Sequence, residues 1–371
     1  MKTFADVANP WVAGLSVYEP GRPIEDVARE LGFADADAII KLASNENSLG
    51  PSPLAVRAMR RAAPRMHYYP DGDAFYLRRK LADKLGVAPE QVLMGNGSNE
   101  ILEFLAHVFL GPNTNIVMAD RAFVVYKLIA LATRARVVSV PMKNYTHDLD
   151  AMLNAITPET RLVFISNPNN PTGTMVANTD LVRFVAQVPD HVVVVLDEAY
   201  IELIPPHDQP PVFDFVKSGR KAIVLRTFSK TYGLAGLRIG YAVAPVEAIR
   251  LMHRVRQPFN VNAMALVAAE AALDDDVFVA RTRRLVASGL AQFEKGCKAL
   301  GLPYVPSTAN FILIEVTQGR AIFQALQKEG VIVRPMDPYG LPDHVRITIG
   351  TAVENRRCLA ALKKVLANRN G

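Results

Sequence analysis

Short, almost purely apolar segments alternate with helical patterns between about residues 91 and 243. The strand candidates are QVLM at 91, NIVMA at 115, RVVSV at 136, RLVFI at 161, VVVVL at 192, AIVL at 222 and RIGYAV at 238. Helical patterns that open at Ser98 and Asp148 lie between some of them. Strands that are apolar on both faces and alternate with helices predict an α/β fold, in which helices cover both sides of a large, mostly parallel sheet.

The chain changes character toward its C-terminus. A long helical stretch near 278–298 is followed by short strand candidates and two further helices, which is typical of a smaller α+β unit. The first 35 or so residues carry three prolines and predict an irregular arm. We therefore expect an N-terminal arm at 1–35, a large α/β domain at 36–265 and a small α+β domain at 266–371.

The positive charges are scattered rather than gathered on one face. The 371 residues carry a formal net charge of +6, and the densest basic clusters, RRK at 78 and RTRR at 281, lie in helical patterns with acidic residues nearby. A protein that binds nucleic acid usually presents one basic stripe. We therefore expect no nucleic-acid partner, and small anionic substrates fit this charge balance better.

The two cysteines and the apolar runs bear on location. Cys297 and Cys358 are far apart and lack metal-ligand spacing, which predicts free thiols in a reducing compartment and no bound metal. The N-terminus lacks a continuous apolar signal segment. No apolar run approaches the roughly 18 residues that suggest a membrane span. These features predict a cytoplasmic protein that does not bind a membrane.

Ligands of open α/β sheets bind at the carboxyl ends of the strands, so the loops there are candidates for function. The loop MGNGSNE at 94–100 joins a strand to a helix. Gly97, Ser98 and Asn99 would present N–H groups at a helix N-terminus, which is an anion site. An ordinary strand-to-helix turn explains the same residues equally well.

The same loop has another interpretation. Gly95 and Gly97 resemble the start of a dinucleotide-binding fingerprint, and Asp120 ends the next strand at the distance expected of a ribose-binding acid. Glu100 replaces the third glycine, so this signal is weak. A nicotinamide-dependent oxidoreductase remains an alternative at this point.

Two further loops follow predicted strands. In SNPNNPTGT at 166–174, Asn170 precedes a proline and could hold an amide donor toward a ring oxygen, although simple turn chemistry is an equal explanation. In VVVVLDEAYIEL at 192–203, Asp197 ends a buried strand, where a carboxylate is costly without a cation or a donor. A turn or helix cap is the alternative role for Asp197, but Tyr200 lies within reach of the same strand end.

The fourth candidate is Lys230 in RTFSKTYGLAGLRIGY at 226–241. An amine that is partly desolvated near Arg238 should have a lowered pKa and attack an aldehyde, and Ser229 adds a donor for phosphate. An anion site, an isolated carboxylate, an oriented amide and an activated amine together describe a pocket for pyridoxal phosphate. In it Lys230 bonds the cofactor aldehyde, and Asp197 keeps the pyridine nitrogen protonated.

Motifs along nearly the whole chain resemble the fold-type I aminotransferases, and within them the histidinol-phosphate aminotransferase branch. They are SVYEPGRP at 16, KLASNENSLGPSP at 41, YYPDGDAFYLRRKLA at 68, GNGSNE at 95, SNPNNPTG at 166, LDEAY at 196, TFSKTYGLAGLRIGY at 227, RP at 334 and VRITIGT at 345. The resemblance implies a fold-type I architecture, a homodimer with shared sites, and ping-pong transamination with 2-oxoglutarate.

The resemblance also implies a role for each matching residue. The catalytic residues would be Lys230, Asp197 and Tyr200. The cofactor phosphate would be held by Gly97, Ser98, Asn99, Ser229 and Arg238. The pyridine 3-oxygen would be bonded by Asn170 and Tyr200, the ring stacked by Phe123, and the neighbouring subunit's phosphate reached by Tyr69. The substrate would lie near Tyr18, Asn47, Arg334 and Arg346.

Simpler roles stay open for three of these residues, because Phe123 could belong to the core, Tyr69 could serve packing and Arg334 could form a surface ion pair. The family usually has Asp at the position of Asn99 and often Tyr at that of Phe123; neither difference removes the chemistry. Besides a histidinol-phosphate aminotransferase, the alternative activities are those of an aromatic amino acid aminotransferase and of a threonine-phosphate decarboxylase-like lyase. A non-catalytic regulator that senses pyridoxal phosphate would normally need a further DNA-binding module.

Overall fold

The structure, a computed structural model, describes residues 2–15, 17, 21–33, 35 and 38–368. Its strands are β1 (Ile40–Lys41), β2 (Val92–Gly95), β3 (Asn115–Ala119), β4 (Arg136–Val140), β5 (Thr160–Ser166), β6 (Val193–Asp197), β7 (Ala222–Thr227), β8 (Gly240–Val243), β9 (Tyr304–Val305), β10 (Phe311–Glu315), β11 (Val331–Ile332), β12 (Arg334–Pro335) and β13 (His344–Thr348). Its helices are α1 (Phe4–Val7), α2 (Ile24–Leu31), α3 (Pro53–Ala62), α4 (Phe75–Leu85), α5 (Ser98–Phe109), α6 (Val125–Ala132), α7 (Leu149–Asn154), α8 (Asn178–Gln187), α9 (Val212–Lys217), α10 (Val246–His253), α11 (Ala263–Ala272), α12 (Asp276–Leu300), α13 (Gly319–Lys328) and α14 (Ala352–Ala367).

Seven strands form the large sheet, in the order β2-β8-β7-β6-β5-β3-β4. Only β8 runs antiparallel to its neighbours in this sheet. All seven strands predicted between residues 91 and 243 are present, and the predicted mostly parallel α/β fold is confirmed. The last of them begins at Gly240 rather than at Arg238, because Arg238 adopts a left-handed φ of 55° that an extended strand does not allow.

Both faces of this sheet are buried, which explains its continuous apolar strands. In β6, Val194 and Leu196 join a core with α3, α4, α7, α8, α9 and α11 on one face. Val193 and Val195 join a second core with α5, α6 and α10 on the other face. Successive side chains of a strand point to opposite faces of the sheet. A sheet with one face in water would therefore show alternating apolar and polar residues, whereas a sheet buried on both faces shows continuous apolar runs.

A smaller antiparallel sheet has the order β12-β13-β10-β9, and β1 pairs in parallel with β11 beside it. These strands share an apolar core with α12, α13 and α14. Val27, Ala28, Ile39, Leu42 and Ala43 contribute to the same core. The boundaries of 35 and 265 for the three-part division stay a prediction; packing alone groups these five residues with the C-terminal sheet.

The prediction of an irregular N-terminal arm is wrong for Ile24–Leu31, which forms α2. Pro23 stands at the N-cap, where a proline removes no helical hydrogen bond, and Gly32 ends the helix in a left-handed conformation. Val27 and Ala28 are buried against the small sheet. The prolines thus precede a helix whose amphipathic face is covered by tertiary contacts. Across the residues that the structure describes, no helix combines the length and the apolar character that crossing a membrane requires.

Candidate active site

A cavity of about 280 Å³ opens at the carboxyl ends of the central strands, between the large sheet and the small one. Because β5 and β6 are parallel neighbours, Ser166 and Asp197 stand side by side at this edge, and β7 ends next to them at Thr227. The cavity is lined by Gly21, Ala43, Ser44, Asn45, Glu46, Ser98, Asn99, Phe123, Ser166, Asn170, Asp197, Ala199, Tyr200, Thr227, Ser229, Lys230, Ala235, Arg238, Arg334, Tyr339 and Arg346. Most of the residues predicted from four separate loops therefore meet at one site.

Lys230 follows the end of β7 by three residues, and its Nζ donates to the carbonyl of Ser44 at 3.2 Å. The pKa of Lys230 is lowered to about 8, first by burial and second by the nearby guanidinium of Arg346. Both effects disfavour the charged ammonium. A neutral amine is therefore accessible near neutral pH, as a nucleophile toward an aldehyde requires.

Asp197 is buried at the end of β6, and two donors face its carboxylate. Tyr126 donates its hydroxyl to Oδ2 at 2.6 Å, and the Ala199 N–H donates to Oδ1 at 3.2 Å. Burial raises the pKa of Asp197, while the bonds from Tyr126 and Ala199 act in the opposite direction. These donors stabilise a carboxylate that can meet a protonated ring nitrogen. Sequence reasoning missed Tyr126, because a tyrosine in the apolar helix pattern of α6 is indistinguishable from a core residue.

Asn170 and Arg346 both line the cavity and are joined by a hydrogen bond. Arg346 Nη1 donates to Asn170 Oδ1 at 2.5 Å, and its Nη2 donates to the Ala43 carbonyl at 2.8 Å. Arginine can only donate, so the amide oxygen of Asn170 must face Arg346. The Asn170 amide nitrogen is thereby turned away from Arg346 as a donor, in the held orientation that the sequence predicts.

Tyr200 is buried beside this pair, with its ring edge-on to Phe311 at a centroid distance of 5.3 Å. Its hydroxyl accepts from Asn45 Nδ2 at 2.9 Å. The hydroxyl proton of Tyr200 is therefore available to an acceptor in the cavity. Asn45 is a second residue that sequence reasoning missed; its φ of 55° in the SNEN motif is a conformation that asparagine tolerates better than most residues.

The predicted anion site forms where α5 begins. Gly97 is the N-cap of α5 with a φ of 78°, and a side chain there would collide with the guanidinium of Arg238. No side chain caps the first N–H groups of α5, and Ser98 and Asn99 line the cavity. Ser229 lies at the same end. Free N–H groups at a helix N-terminus beside an arginine form a cradle for phosphate.

The topology excludes the dinucleotide alternative. The loop at 94–100 follows β2 at one edge of the sheet, whereas Asp120 follows β3, and β8, β7, β6 and β5 lie between. Five strand spacings amount to roughly 24 Å. Asp120 Oδ1 instead accepts from the Met142 N–H at 3.1 Å. Glu100, at the third glycine position of the fingerprint, accepts from the Asn96 N–H and from Asn260.

The remaining predicted residues divide into two groups. Phe123 lines the cavity and packs edge-on against Tyr126 at 5.6 Å, and Arg334 lines it from β12. Asn47 is not among the lining residues, because its side-chain amide bonds Thr231 and Thr282.

Tyr69, one of the predicted residues, lies elsewhere. Tyr69 is 83% exposed outside the cavity and stacks on Phe259 at 4.9 Å. The predicted contact of Tyr69 with the phosphate of a neighbouring subunit stays a prediction. Tyr18 lies outside the residues that the structure describes.

These residues fit pyridoxal phosphate. The cradle at Gly97 is open because glycine has no side chain to fill it, and Arg238 supplies a cation beside it. Asp197 is the buried carboxylate that a pyridine nitrogen needs, and Lys230 is the amine that an aldehyde needs. Asn170 and Tyr200 supply donors between these two ends.

Comparison with known proteins agrees with this geometry. The family model for aminotransferases of class I and II matches residues 37–362. The chain belongs to this family. It is 50% identical to histidinol-phosphate aminotransferase 2 from Pseudomonas fluorescens over 98% of both chains. It is 49% identical to histidinol-phosphate aminotransferase from Akkermansia muciniphila, covering 97% of this chain and 98% of the relative.

A solved structure shares the whole architecture. Histidinol-phosphate aminotransferase from Sinorhizobium meliloti, in complex with pyridoxal-5'-phosphate, superposes with a TM-score of 0.89 at 27% identity and covers 98% of both chains. The predicted fold-type I architecture is thereby confirmed. This aminotransferase has its cavity at the strand ends where the predicted cofactor residues meet.

Proposed function

We propose that this aminotransferase uses pyridoxal phosphate to transfer the amino group of histidinol phosphate to 2-oxoglutarate, a step of histidine biosynthesis. The relatives that are about half identical over nearly their whole length carry that activity in their names. The observation that carries the proposal is the pair Arg334 and Arg346, which stand opposite each other on β12 and β13 and both line the cavity. The planar guanidinium of arginine donates in a fork that matches phosphate and carboxylate, and these are the anionic groups of the two substrates.

Lys230 has two tasks in this reaction. Its Nζ is the amine that would hold the aldehyde of pyridoxal phosphate covalently. Once displaced by the substrate's amine, Lys230 would be a free amine with a pKa of about 8, and it would serve as the general base for the proton on the carbon that carries the substrate's amino group. When bound, pyridoxal phosphate supplies an aldehyde and an electron-accepting ring. Release of a carbonyl product before 2-oxoglutarate binds makes the kinetics ping-pong.

The other residues of the site would bind and orient the cofactor. The carboxylate of Asp197 would hold a proton on the ring nitrogen, and the donors Tyr126 and Ala199 keep that carboxylate in place. Asn170 and Tyr200 would donate to the ring oxygen. The phosphate of the cofactor would be held by Gly97, Ser98, Asn99, Ser229 and Arg238. Phe123, just before α6, would pack on the ring.

Three alternative functions would use the same site. An aromatic amino acid aminotransferase is favoured by Phe123 and Tyr339, two rings that line the cavity beside the arginines. A threonine-phosphate decarboxylase-like lyase would also need an arginine for phosphate, but it would release carbon dioxide and form no glutamate. A non-catalytic sensor would bind the cofactor without turnover.

The test compares kcat/KM for histidinol phosphate and phenylalanine as amino donors with 2-oxoglutarate under identical conditions. We expect a preference of about 100-fold for histidinol phosphate, which corresponds to about 2.7 kcal/mol of transition-state discrimination. Lys230→Ala is the control and should abolish turnover with both donors. Equal or reversed values would identify an aromatic aminotransferase, and carbon dioxide without glutamate would identify the lyase.

We further infer that the active form is a homodimer and that it is cytoplasmic. Exposed aromatic and apolar side chains cluster on one surface of the chain: Met66, Tyr68, Tyr69, Phe75, Tyr76 and Phe259. Such a patch is typical of a protein interface. Cys297 and Cys358 are buried free thiols, which suits a reducing compartment. Cell fractionation tests the second inference, and recovery of the enzyme from the periplasm would contradict it.

A further inference from the structure

Tyr339 separates the active-site cavity from a second cavity. It lies in the turn Asp337–Tyr339 between β12 and β13. The second cavity, also of about 280 Å³, is lined by Met118, Asp120, Arg121, Ala122, Val124, Lys127, Ser139, Pro338, Tyr339 and Gly340. Within the part of the chain that the structure describes, Tyr339 is the residue that lines both cavities. Tyr339 therefore stands at the boundary between the two cavities.

The turn that carries Tyr339 is held at several points. The Tyr339 and Leu341 N–H groups both donate to the Met336 carbonyl, at 3.0 and 3.1 Å. From α13, Arg320 donates two N–H groups to one oxygen of Asp337, at 3.1 and 2.6 Å. These bonds fix the backbone on both sides of the tyrosine, so its ring is a rigid wall rather than a mobile side chain.

The ring itself is packed from the side of the small sheet. Tyr339 is 9% exposed and belongs to an apolar cluster of Val305, Leu313, Met336 and Leu341, against which Val124 and Tyr145 also pack. Val124 neighbours Phe123 in sequence, so the cluster joins the turn to the segment that carries the other aromatic wall of the cavity. The cluster around Tyr339 thus combines residues of the small sheet with residues of two loops that follow β3 and β4.

Tyr339 lines the active-site cavity together with Tyr200, Lys230 and Arg346. It therefore borders the space in which the proposed amino donor would lie. A side chain in this place limits how far a substrate can extend from the cofactor.

We propose that Tyr339 is a specificity-determining residue that sets the size limit of the amino donor's side chain. This inference rests on the proposed function, because it concerns the amino donor of the same site. With the ring present, a single five- or six-membered ring is accommodated and a larger one meets the wall. Without the ring, the donor can extend into the second cavity beside Arg121 and Lys127.

The experiment compares the holoenzyme with Tyr339→Ala and, as the matched control, Tyr339→Phe, which keeps the ring and loses only the hydroxyl. Steady-state kcat/KM is measured for phenylalanine and tryptophan with 2-oxoglutarate. Affinity for indole-3-propionate, a tryptophan-sized carboxylate that is not turned over, is measured by equilibrium titration. In Tyr339→Ala we expect the ratio of kcat/KM for tryptophan to kcat/KM for phenylalanine to rise about tenfold or more, and the affinity for indole-3-propionate to rise by a similar factor. In Tyr339→Phe both should stay within about twofold of the wild type.

The outcomes separate the two proposals. An unchanged ratio and unchanged affinity in a folded, cofactor-loaded Tyr339→Ala protein would overturn the size limit. An equal effect in both variants would also overturn it, because the hydroxyl would then be decisive instead of the ring. If the wild type ignores histidinol phosphate, the proposed substrate is wrong, but the ratio still decides the role of Tyr339. If neither amino acid is turned over, the affinity for indole-3-propionate decides it.

Discussion

At the scale of the residue, the chemistry depends on how each polar side chain is held. Asp197 is a buried carboxylate that accepts from Tyr126, and Asn170 is an amide whose oxygen faces Arg346. The sequence predicts the roles of Asp197 and Asn170 from their places at strand ends. It does not reveal that Tyr126, 71 positions away, supports Asp197, because α6 could have presented its tyrosine to any neighbour.

Tyr126→Phe should reduce turnover without emptying the site. The ring stacks on Phe164 at 4.5 Å, so phenylalanine keeps the packing and removes only the hydroxyl. A hydrogen bond to a charged group contributes about 1.5–3 kcal/mol, which corresponds to a roughly 10- to 100-fold loss in kcat. Because the bond lowers the pKa of Asp197, its removal should raise that pKa further and shift the pH dependence of the bound cofactor's absorbance.

Asp197→Asn sets the largest loss of turnover with which Tyr126→Phe is compared. It should retain the cofactor and turn over more slowly than Tyr126→Phe, because it removes the carboxylate itself. A Tyr126→Phe enzyme with wild-type kcat and an unshifted absorbance profile would show that Tyr126 serves packing alone.

At the scale of the element, the ends of β6 and β7 are joined by a buried ionic cluster. Arg226 on β7 donates from Nε to Glu198 Oε2 at 2.8 Å, and Glu202 lies in the 3-10 turn that follows. Glu202 is buried, and its Oε2 has no hydrogen-bond partner in the described part of the chain. Burial raises the pKa of Glu202 to about 7, against the attraction of Arg226.

This cluster makes stability depend on pH. Between the ordinary pKa of 4.5 and the folded value of about 7, the folded chain binds more protons at Glu202 than the unfolded chain does. The free energy of unfolding should therefore fall by up to about 3 kcal/mol as the pH rises through this window. Glu202→Gln should remove that fall. Between pH 5 and pH 8, the free energy of unfolding of the variant should therefore decrease less than that of the wild type.

Urea denaturation at a series of pH values measures the effect. Glu103→Gln, on the exposed face of α5, is the matched control and should follow the wild-type curve. Identical slopes for Glu202→Gln and the wild type between pH 5 and 8 would contradict the raised pKa.

The elements themselves were largely predictable. Seven apolar runs became the seven strands of the large sheet, because strands buried on both faces leave an unmistakable pattern. The helix at Ile24–Leu31 was not predicted, since its short amphipathic pattern lies among prolines and is covered by the distant C-terminal sheet. The short strands β1, β9 and β12 exist only through their pairing partners.

At the scale of the whole molecule, we propose that two chains associate and that Tyr69 of one chain reaches the active site of the other. Tyr69 is exposed beside Phe259, away from the cavity of its own chain. Coexpression of Lys230→Ala and Tyr69→Ala chains with different tags tests this arrangement. Each variant alone should be inactive or nearly so, whereas the doubly tagged hybrid should contain one intact site and about half of the wild-type activity.

Hybrids in which both chains carry Lys230→Ala are the control for the tags and should be inactive. A hybrid with no more activity than its parents would refute the shared site. A monomer of full activity in sedimentation experiments would refute the dimer itself.

The sequence by itself determined the α/β fold, the aminotransferase family and the cofactor, and these predictions are confirmed, whereas the roles of the catalytic side chains stay predictions. It could do so because buried strands, strand-end loops and Lys230 leave local patterns. Only the tertiary structure decided that Asp120 lies five strands from Gly97, that Tyr126 supports Asp197 and that Tyr339 divides two cavities. These facts depend on sheet order and on contacts between distant segments, which no local pattern encodes.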